Sequence, residues 1–311
     1  MPAEVPTHYV GRIDWSQAAL PTGYGRASAG FLRQQLVDGA TGSVHMGVAA
    51  CMLAGDGHVR PHVHSFEESF YVLEGGIQLT MQGKTVDLGP DHCGLIPVGV
   101  PHSWTGAGTG GRWIEMAAPQ PRAPSEGRPA DTFFVEEAGP EGTVAAPADI
   151  RDPRTRHVFR LNAIDTDIEA LRLGSSVDAP TVSASMATAL LVYSGIAVKM
   201  LVDQRLDAQL STMFMVEYQP GGVAHPHDHP LEEFYAILDG EVEAVADGSR
   251  YTLRQGDVFW TGVGCVHAFY NTSDGTVRWL ETQAPQPPAR HSYRFDRDWE
   301  YLGDRLKSRR G

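Results

Sequence analysis

Residues 57–102 read GHVRPHVHSFEESFYVLEGGIQLTMQGKTVDLGPDHCGLIPVGVPH, and residues 222–267 read GVAHPHDHPLEEFYAILDGEVEAVADGSRYTLRQGDVFWTGVGCVH. Aligned without a gap, the two stretches are identical at 13 of 46 positions, at a constant offset of 165 residues. Farther along, Arg112–Pro121 (RWIEMAAPQP) is echoed by Arg278–Pro287 (RWLETQAPQP). Matches that extend through two halves of a sequence indicate an internal duplication, which therefore organises the chain.

Each copy has the pattern of short β-strands. Phe70–Leu73 and Phe234–Leu238 are aromatic or branched runs that end at acidic and glycine turn residues. The 34 glycines and 21 prolines follow no period, which is typical of strands joined by frequent turns. Helical periodicity is confined to Thr166–Leu173 and Trp299–Lys307, both short. The sequence predicts an all-β protein with few short helices.

The duplication also predicts the domain organisation: an N-terminal domain over residues 1–135, then a linker and a C-terminal domain over residues 136–311. Residues Pro121–Pro153 are rich in Pro, Gly, Ala and acidic residues, which indicates a crossover between the halves rather than core. The first ten residues and the tail after Asp304 are expected to be surface extensions.

The composition of the 311 residues restricts the class of protein. Its 25 Lys and Arg against 38 Asp and Glu give a net charge of −13, which would repel a nucleic-acid backbone or an anionic membrane surface. The three cysteines, Cys51, Cys93 and Cys265, form no CxxC pair, which favours a reducing compartment over a disulfide framework. With neither a signal peptide nor a membrane span recognisable, we predict a soluble, cytoplasmic protein.

The repeated histidines and glutamates have the spacing of a metal site. In the first copy His62, His64 and Glu68 are all even-numbered, so one unbroken strand would point their side chains the same way. Gly75 then allows a turn, and His102 follows at a distance that suits another strand of the same barrel. The second copy repeats this set as His227, His229, Glu233, Gly240 and His267.

Three neutral imidazoles and one carboxylate suit a first-row divalent metal and leave coordination positions open for water, oxygen or substrate. We therefore predict up to two divalent transition metals per chain. Fe, Mn, Ni, Cu, Co and Zn all remain candidates.

The two copies resemble the two sequence motifs of the cupins. The resemblance lies in HVHSFEESFYVLEG with PVGVPH and in HDHPLEEFYAILDG with GVGCVH, since both copies contain HxH, three residues, Glu, six residues and Gly. The departures are at loop positions such as Asp91 and Gly106, whose counterparts Gly256 and Asn271 follow the pattern. The resemblance implies a bicupin, with two tandem jelly-roll barrels that each hold a metal inside.

The same-face rule places further side chains near each predicted metal. Phe70 and Trp104 in the first copy, with Tyr235 and Phe269 in the second, would line an apolar, partly aromatic pocket for a small organic substrate. Plain barrel core is the alternative interpretation of each of these four residues.

Two polar residues occupy equivalent positions, two residues before the first histidine of each set. Arg60 would fix a substrate anion, and His225 would act as a general base or support a ligand. Exposed edge positions are the alternative. Because the second copy carries more titratable groups, we expect it to be the catalytic one and the first to be mainly structural.

Three classes of function remain open. The first is a metal-dependent dioxygenase for a small aromatic or enolisable substrate, in which Glu68 or Glu233 accepts the substrate proton, as the resemblance to quercetinase-like bicupins implies. The second is non-redox hydrolysis, isomerisation or decarboxylation, although the decarboxylase bicupins carry an arginine where this chain has Val59 and Ala224. The third is a non-catalytic binding protein, which the eight intact ligand positions disfavour. Pairing of jelly-roll faces into a homodimer is also left open.

Overall fold

The computed structural model describes residues 6–136, 146–147, 152, 155–161, 194–286 and 294–295. Both helix candidates, Thr166–Leu173 and Trp299–Lys307, lie outside these residues. Within them the chain is built from β-strands, with two short 3-10 turns, so the all-β prediction is confirmed. No helix in the described ranges has the length and apolar character needed to cross a membrane.

The chain divides into two compact units. The first unit comprises Ile13–Leu161 and Val202–Ser211, and the second comprises Met1–Arg12, Asn162–Leu201 and Thr212–Gly311. Each unit thus includes a short segment that the predicted domain bounds place in the other half. The domain bounds 1–135 and 136–311 stay a prediction.

The first unit is one eight-stranded antiparallel sheet in the order β2-β3-β7-β4-β6-β9, with β5 paired to β4 and β8 to β3. Its strands are β2 (Ser28–Val37), β3 (Gly47–His64), β4 (Glu67–Met81), β5 (Lys84–Leu88), β6 (His92–Ile96), β7 (His102–Ala118), β8 (Thr132–Phe134) and β9 (Val158–Arg160). Long β3 and β7 are in register from His62 and His102 to Gly47 and Ala117. This pairing places His62 beside His102, the first and last histidines of the motif region.

The second unit has a six-stranded sheet in the order β1-β16-β13-β18-β11-β10 and a five-stranded sheet in the order β15-β14-β17-β12-β19. Its strands are β1 (His8–Arg12), β10 (Ile196–Val202), β11 (Thr212–Tyr218), β12 (Val223–Asp228), β13 (Glu232–Asp239), β14 (Glu241–Ala246), β15 (Ser249–Arg254), β16 (Asp257–Thr261), β17 (His267–Tyr270), β18 (Val277–Ala284) and β19 (Arg294–Phe295).

Two segments expected to be surface or linker are strands. Residues 8–12 form β1, which pairs with β16 from Thr261 to Asp257, so this part of the N-terminus belongs to a sheet. Inside the predicted crossover, β8 pairs with β3 at His62, Val63 and His64, and Thr132 is buried. Composition missed both strands because their hydrogen-bond partners lie far away in sequence.

A hydrophobic core fills the interior of each unit. In the first unit it includes Phe70, Trp104 and Trp113, and in the second Tyr235 and Phe269. Alternate residues of each strand face this core, as the period of two requires. The histidines of both motif sets lie on strands or strand ends that border it, and all of them are buried.

Candidate metal centres

The first candidate metal centre brings together His62, His64 and His102. One nitrogen of each ring lies within 4.8 Å of the corresponding nitrogen of the others. His62 and His102 are paired in register on β3 and β7, and His64 is the last residue of β3. The convergence predicted from the spacing is therefore present, and we call these residues with Glu68 the first centre.

The path of the chain between His64 and Glu68 differs from the prediction. β3 ends at His64, residues Ser65 and Phe66 form a bend, and Glu68 is on β4. The expectation of one unbroken strand is therefore wrong. Glu68 nevertheless reaches the centre, with its Oε2 2.9 Å from His64 Nε2 and 3.6 Å from His102 Nε2. The two segments meet because the chain turns back between them, which the even numbering does not show.

The same construction recurs in the second unit, where His227, His229 and His267 form the second centre with Glu233. The three histidine nitrogens again lie within 4.8 Å of one another. His227 on β12 is in register with His267 on β17. Glu233 Oε2 lies 2.7 Å from His229 Nε2 and 3.2 Å from His267 Nε2.

The imidazoles of both centres are oriented through Nδ1. In the first centre Nδ1 contacts Arg60 O (2.7 Å), Thr132 Oγ1 (3.0 Å) and Val100 O (3.0 Å), for His62, His64 and His102 respectively. In the second centre it contacts His225 O (2.7 Å), Leu231 O (2.9 Å) and Cys265 O (3.0 Å), for His227, His229 and His267. Five of these six partners are backbone carbonyls, which only accept, so in those five rings the proton is on Nδ1 and the lone pair of Nε2 points inward. This is the usual arrangement of histidine ligands to a metal.

Buried atoms of the first centre support the assignment. Neither His102 Nε2 nor Glu68 Oε1 has a hydrogen-bond partner among the described residues, although both are shielded from solvent. Unsatisfied buried groups of this kind are rare unless an ion or water takes them up. Two sets of three imidazoles with a carboxylate fit divalent metal ions, whose identity the donor set leaves open.

Burial and neighbouring charge favour the neutral form of His62 and His64 in the first centre. Burial, with the neighbouring rings of the centre, lowers the pKa of His62 and of His64 well below the usual value. A neutral imidazole is the form that binds metal. In the second centre burial, with His267, lowers the pKa of His227 to about 3.

The His229–Glu233 pair behaves differently. Burial disfavours both charges, but the attraction between the two groups raises the pKa of His229 and lowers that of Glu233 well below its usual range. The second centre therefore contains a tight imidazolium–carboxylate pair when no cation replaces the proton.

The two centres differ in what holds the glutamate. Tyr235 Oη donates to Glu233 Oε2 and lies 3.1 Å from His267 Nε2, and Gln283 Nε2 donates to Glu233 Oε1 at 2.5 Å. In the first centre Phe70 replaces the tyrosine and Ala117 replaces the glutamine, as the matched registers show. Both oxygens of Glu233 are thus bound by side chains, whereas Glu68 has one oxygen without a partner.

The four predicted pocket residues lie in the hydrophobic cores. Trp104 stacks on Trp113 at 5.1 Å between ring centroids and meets Phe70 edge-on at 5.3 Å. Tyr235 lies 4.8 Å from Phe269 by the same measure. Of the four, only Tyr235 touches a centre through a polar atom. Their role in binding substrate stays a prediction.

The two polar residues that precede the first histidines reach the centres through their backbones. Arg60 has an exposed side chain, and its carbonyl orients His62. His225 is half-buried, its carbonyl orients His227, and its ring lies 6.5 Å from that of Tyr270. Side-chain chemistry for Arg60 and His225 therefore stays a prediction.

Sequence reasoning missed several side chains around the centres. In the first unit these are Thr132, which contacts His64, and the ion pair of Arg33 with Glu115. In the second they are Gln283 and Glu281, which accepts a hydrogen bond of 2.9 Å from Trp279 Nε1. The offset of 166 in the RWIE and RWLE stretches already matched Glu115 to Glu281, and this was the signal available.

Both halves of the chain match a known protein domain. A model of the cupin domain matches residues 50–115 and again residues 214–282. The chain therefore contains two cupin domains, one in each half, which is the arrangement of a bicupin. Among curated proteins it is 29% identical over 92 residues to the HTH-type transcriptional regulator PuuR of Escherichia coli (strain K12). That match covers 29% of this chain and 49% of the regulator, so the chain spans about half the length of the curated relatives it matches.

Solved structures of bicupins share the fold. Salicylate 1,2-dioxygenase from Pseudoaminobacter salicylatoxidans is 14% identical with a TM-score of 0.67, covering 91% of this chain and 84% of that one. Bacillus subtilis oxalate decarboxylase, with Mn(II) centres, is 16% identical with a TM-score of 0.59, covering 99% and 85%. Lactobacillus farciminis oxalate decarboxylase is 16% identical with a TM-score of 0.58, covering 95% and 93%. These neighbours share an architecture and catalyse different reactions.

Proposed function

We propose that this bicupin is a metal-dependent dioxygenase acting on a small aromatic or enolisable substrate. The observation that carries the proposal is the pair of buried centres in which three Nε2 atoms and one carboxylate converge. Because a fold alone does not define a reaction, the argument rests on the donor set and its surroundings. The oxygenase among the structural neighbours is consistent with this proposal.

A divalent metal bound at such a centre would supply Lewis acidity toward a substrate oxygen and open positions for further ligands. The chain's own residues supply the proton chemistry. Glu68 is 1% exposed, and its Oε1 has no partner, so this oxygen is placed to accept a proton from a substrate hydroxyl or an acidic C–H. The buried aromatic side chains around the centre keep bulk water from competing.

The first centre is the better candidate for catalysis, in contrast to the expectation from the sequence. A glutamate that accepts a substrate proton has to change its contacts during the reaction. Glu233 is held at Oε2 by Tyr235 and at Oε1 by Gln283, so any movement breaks both hydrogen bonds. Glu68 is not restrained in this way. We therefore assign proton transfer to the first centre and a mainly structural role to the second.

Oxygen consumption tests the proposed reaction. Protein stripped of metal is reconstituted separately with Fe(II), Mn(II), Ni(II), Cu(II) and Co(II), and each form is mixed with flavonols, diketones or phenols in an oxygen electrode. We expect uptake that requires both metal and substrate and that is lost in Glu68→Gln. Glu74→Gln on the same strand, an exposed carboxylate paired with Arg112, is the matched control. Substrate turnover under strict anaerobiosis would contradict the dioxygenase.

Non-redox catalysis at the same centre is the second candidate. A buried carboxylate with one free oxygen serves equally well as the base in a hydrolysis, an isomerisation or a decarboxylation. The anaerobic arm of the experiment separates the two classes, because these reactions consume no oxygen. A bicupin that binds small molecules without turnover would consume neither oxygen nor substrate in either arm.

A further inference from the structure

One face of the first unit's sheet carries a half-buried arginine that the histidine motifs do not account for. Arg33 on β2 is in register with Cys51 on β3, and its Nη2 lies 3.0 Å from Glu115 Oε1. Cys51 Sγ donates to the other oxygen of Glu115 at 3.3 Å. The Arg33 side chain is 20% exposed, and its Nε is buried without a hydrogen-bond partner.

This arginine lies close to the first centre. Glu115 is in register with Phe70 on β4, and Ala117, two residues along the same face, is in register with Glu68. Tyr24, whose ring lies 6.5 Å from that of His62, packs in the same core at 5.6 Å from the ring of Phe31, which lies on β2 two residues before Arg33. A positive charge therefore faces the same interior as the metal ligands.

The duplicated half shows that the acid does not require the arginine. At the constant offset of 165, the counterpart of Arg33 is Val198, which packs against the core of the second unit. In the described part of the chain no Lys or Arg side chain forms an ion pair with Glu281, the counterpart of Glu115. Its Oε2 instead accepts a hydrogen bond of 2.9 Å from Trp279 Nε1. The need to neutralise Glu115 therefore does not by itself explain why an arginine is present at position 33.

We propose that Arg33 is the anion-binding residue of the first centre and that the substrate is a carboxylate. This inference rests on the proposed function of that centre and adds the chemical class of its substrate. A guanidinium has a fixed fork of N–H donors that matches a carboxylate, and one of these donors, Nε, has no hydrogen-bond partner among the residues that the structure describes. Glu115 positions the guanidinium and competes with the substrate for it.

Binding of charged and neutral probes tests the proposal without turnover. Benzoate and oxalate are titrated into the metal-loaded protein under anaerobic conditions by calorimetry, against the neutral amides benzamide and oxamide. We expect at least one acid to bind about tenfold or more tightly than its amide, as loss of a charged hydrogen-bond partner implies. Arg33→Gln should remove that preference, and Glu115→Gln, which frees the guanidinium, should strengthen acid binding. Arg112→Gln, an arginine on β7 paired with the exposed Glu74, should change neither.

Three results would overturn the proposal: a wild-type protein that binds neither acid, equal affinity for acids and amides, or a folded Arg33→Gln variant that keeps the preference. If Arg33→Gln fails to fold because Glu115 is left unpaired, the double variant Arg33→Gln/Glu115→Gln replaces it. Because no step of this test consumes oxygen, a negative oxygen-electrode result leaves it intact. The two failures are therefore distinguishable.

Discussion

At the scale of single residues, a hydroxyl group distinguishes the second candidate metal centre from the first. Tyr235 and Phe70 occupy matched positions on β13 and β4, and the tyrosine Oη contacts both Glu233 and His267. The hydroxyl donates its proton to Glu233 Oε2, an oxygen that a metal would otherwise use. Together with Gln283, which Ala117 replaces in the first centre, this hydroxyl gives the two glutamates different surroundings although the four ligand positions are the same.

Exchanging these two residues should exchange the properties of the centres. Tyr235→Phe should raise the affinity of the second centre for Co(II) by about three- to tenfold, because metal no longer displaces a hydrogen bond worth roughly 1 kcal/mol. Phe70→Tyr should lower metal affinity and turnover at the first centre by a similar factor. Metal titration followed by Co(II) absorption measures both, with circular dichroism confirming the fold. Opposite signs in the two variants are required, and changes of the same sign would refute the explanation.

A residue of the candidate centres could be predicted only where the two copies of the sequence repeat it. The ligands were predictable because the two copies repeat HxH, Glu and His at one spacing, and spacing along strands translates into position. Arg33 was not predictable, because Val198 replaces it in the second copy and no periodicity marks it. A residue that occurs in one copy only becomes visible when the sheet brings it beside Glu115.

At the scale of elements, short segments from distant parts of the sequence support the first centre. Glu67, beside the ligand Glu68, is buried and accepts hydrogen bonds from the backbone of Gln209 and Leu210, at 2.5 and 3.0 Å, and from Ser211 Oγ at 3.3 Å. Sequence alternation indicated only that Glu67 points away from the metal. The contact to residues 209–211 could not be read from the sequence because nothing local specifies it.

Removing this carboxylate should destabilise the first unit. Glu67→Gln replaces one carboxylate oxygen by an NH₂ group, which then faces the backbone N–H of Gln209 or of Leu210, and should cost about 1–3 kcal/mol, the penalty for an unsatisfied buried polar group. Thermal unfolding by circular dichroism measures the loss. Glu74→Gln, which changes an exposed glutamate seven residues along the same strand, is the control and should have little effect. Equal melting temperatures for both variants would show that the contact is dispensable.

Strand β8 supports the first centre in another way, since Thr132 contacts His64 Nδ1 and Asp131 fixes the start of the strand. Asp131 accepts hydrogen bonds from Arg122 Nη2 at 2.6 Å and Ser65 Oγ at 2.8 Å. The Arg122 contact lowers the pKa of Asp131 to about 2, from 3.8, against the effect of burial. The stabilisation of the folded state by the Asp131 carboxylate is therefore fully present above pH 3.8, the ordinary pKa, and is lost as the pH falls through 2.

Asp131→Asn should therefore lower stability by about 1–2 kcal/mol at pH 7, less than the full shift implies because Arg122 is largely exposed. The difference from wild type should shrink between pH 4 and pH 2 and vanish below. Denaturant unfolding of both proteins across this range measures it. A difference that stays constant with pH would assign the effect to packing instead of charge.

At the scale of the whole molecule, the duplication kept the ligands and changed their surroundings. The first unit has Arg33, Phe70 and an unrestrained Glu68, whereas the second has Val198 and a glutamate held by two side chains. The all-β architecture and the repeat were predictable, because both depend on patterns that recur along the chain. The sequence suggested the second half as the catalytic one, whereas our proposal assigns catalysis to the first, because the proposal depends on contacts that differ between the halves.

Removing one ligand from each centre in turn should reveal that division. His64→Ala and His229→Ala each leave two histidines in the affected centre, so metal analysis should give two ions per chain for wild type and one for either variant. Turnover should fall by about a hundredfold or more in His64→Ala and stay within about threefold of wild type in His229→Ala, because the second centre supplies structure only. His229→Ala should instead lower the melting temperature.

His58→Ala, an exposed histidine on β3, controls for general effects of removing an imidazole. Equal losses of turnover in the two folded variants would place catalysis in both halves, and a larger loss in His229→Ala would move it to the second.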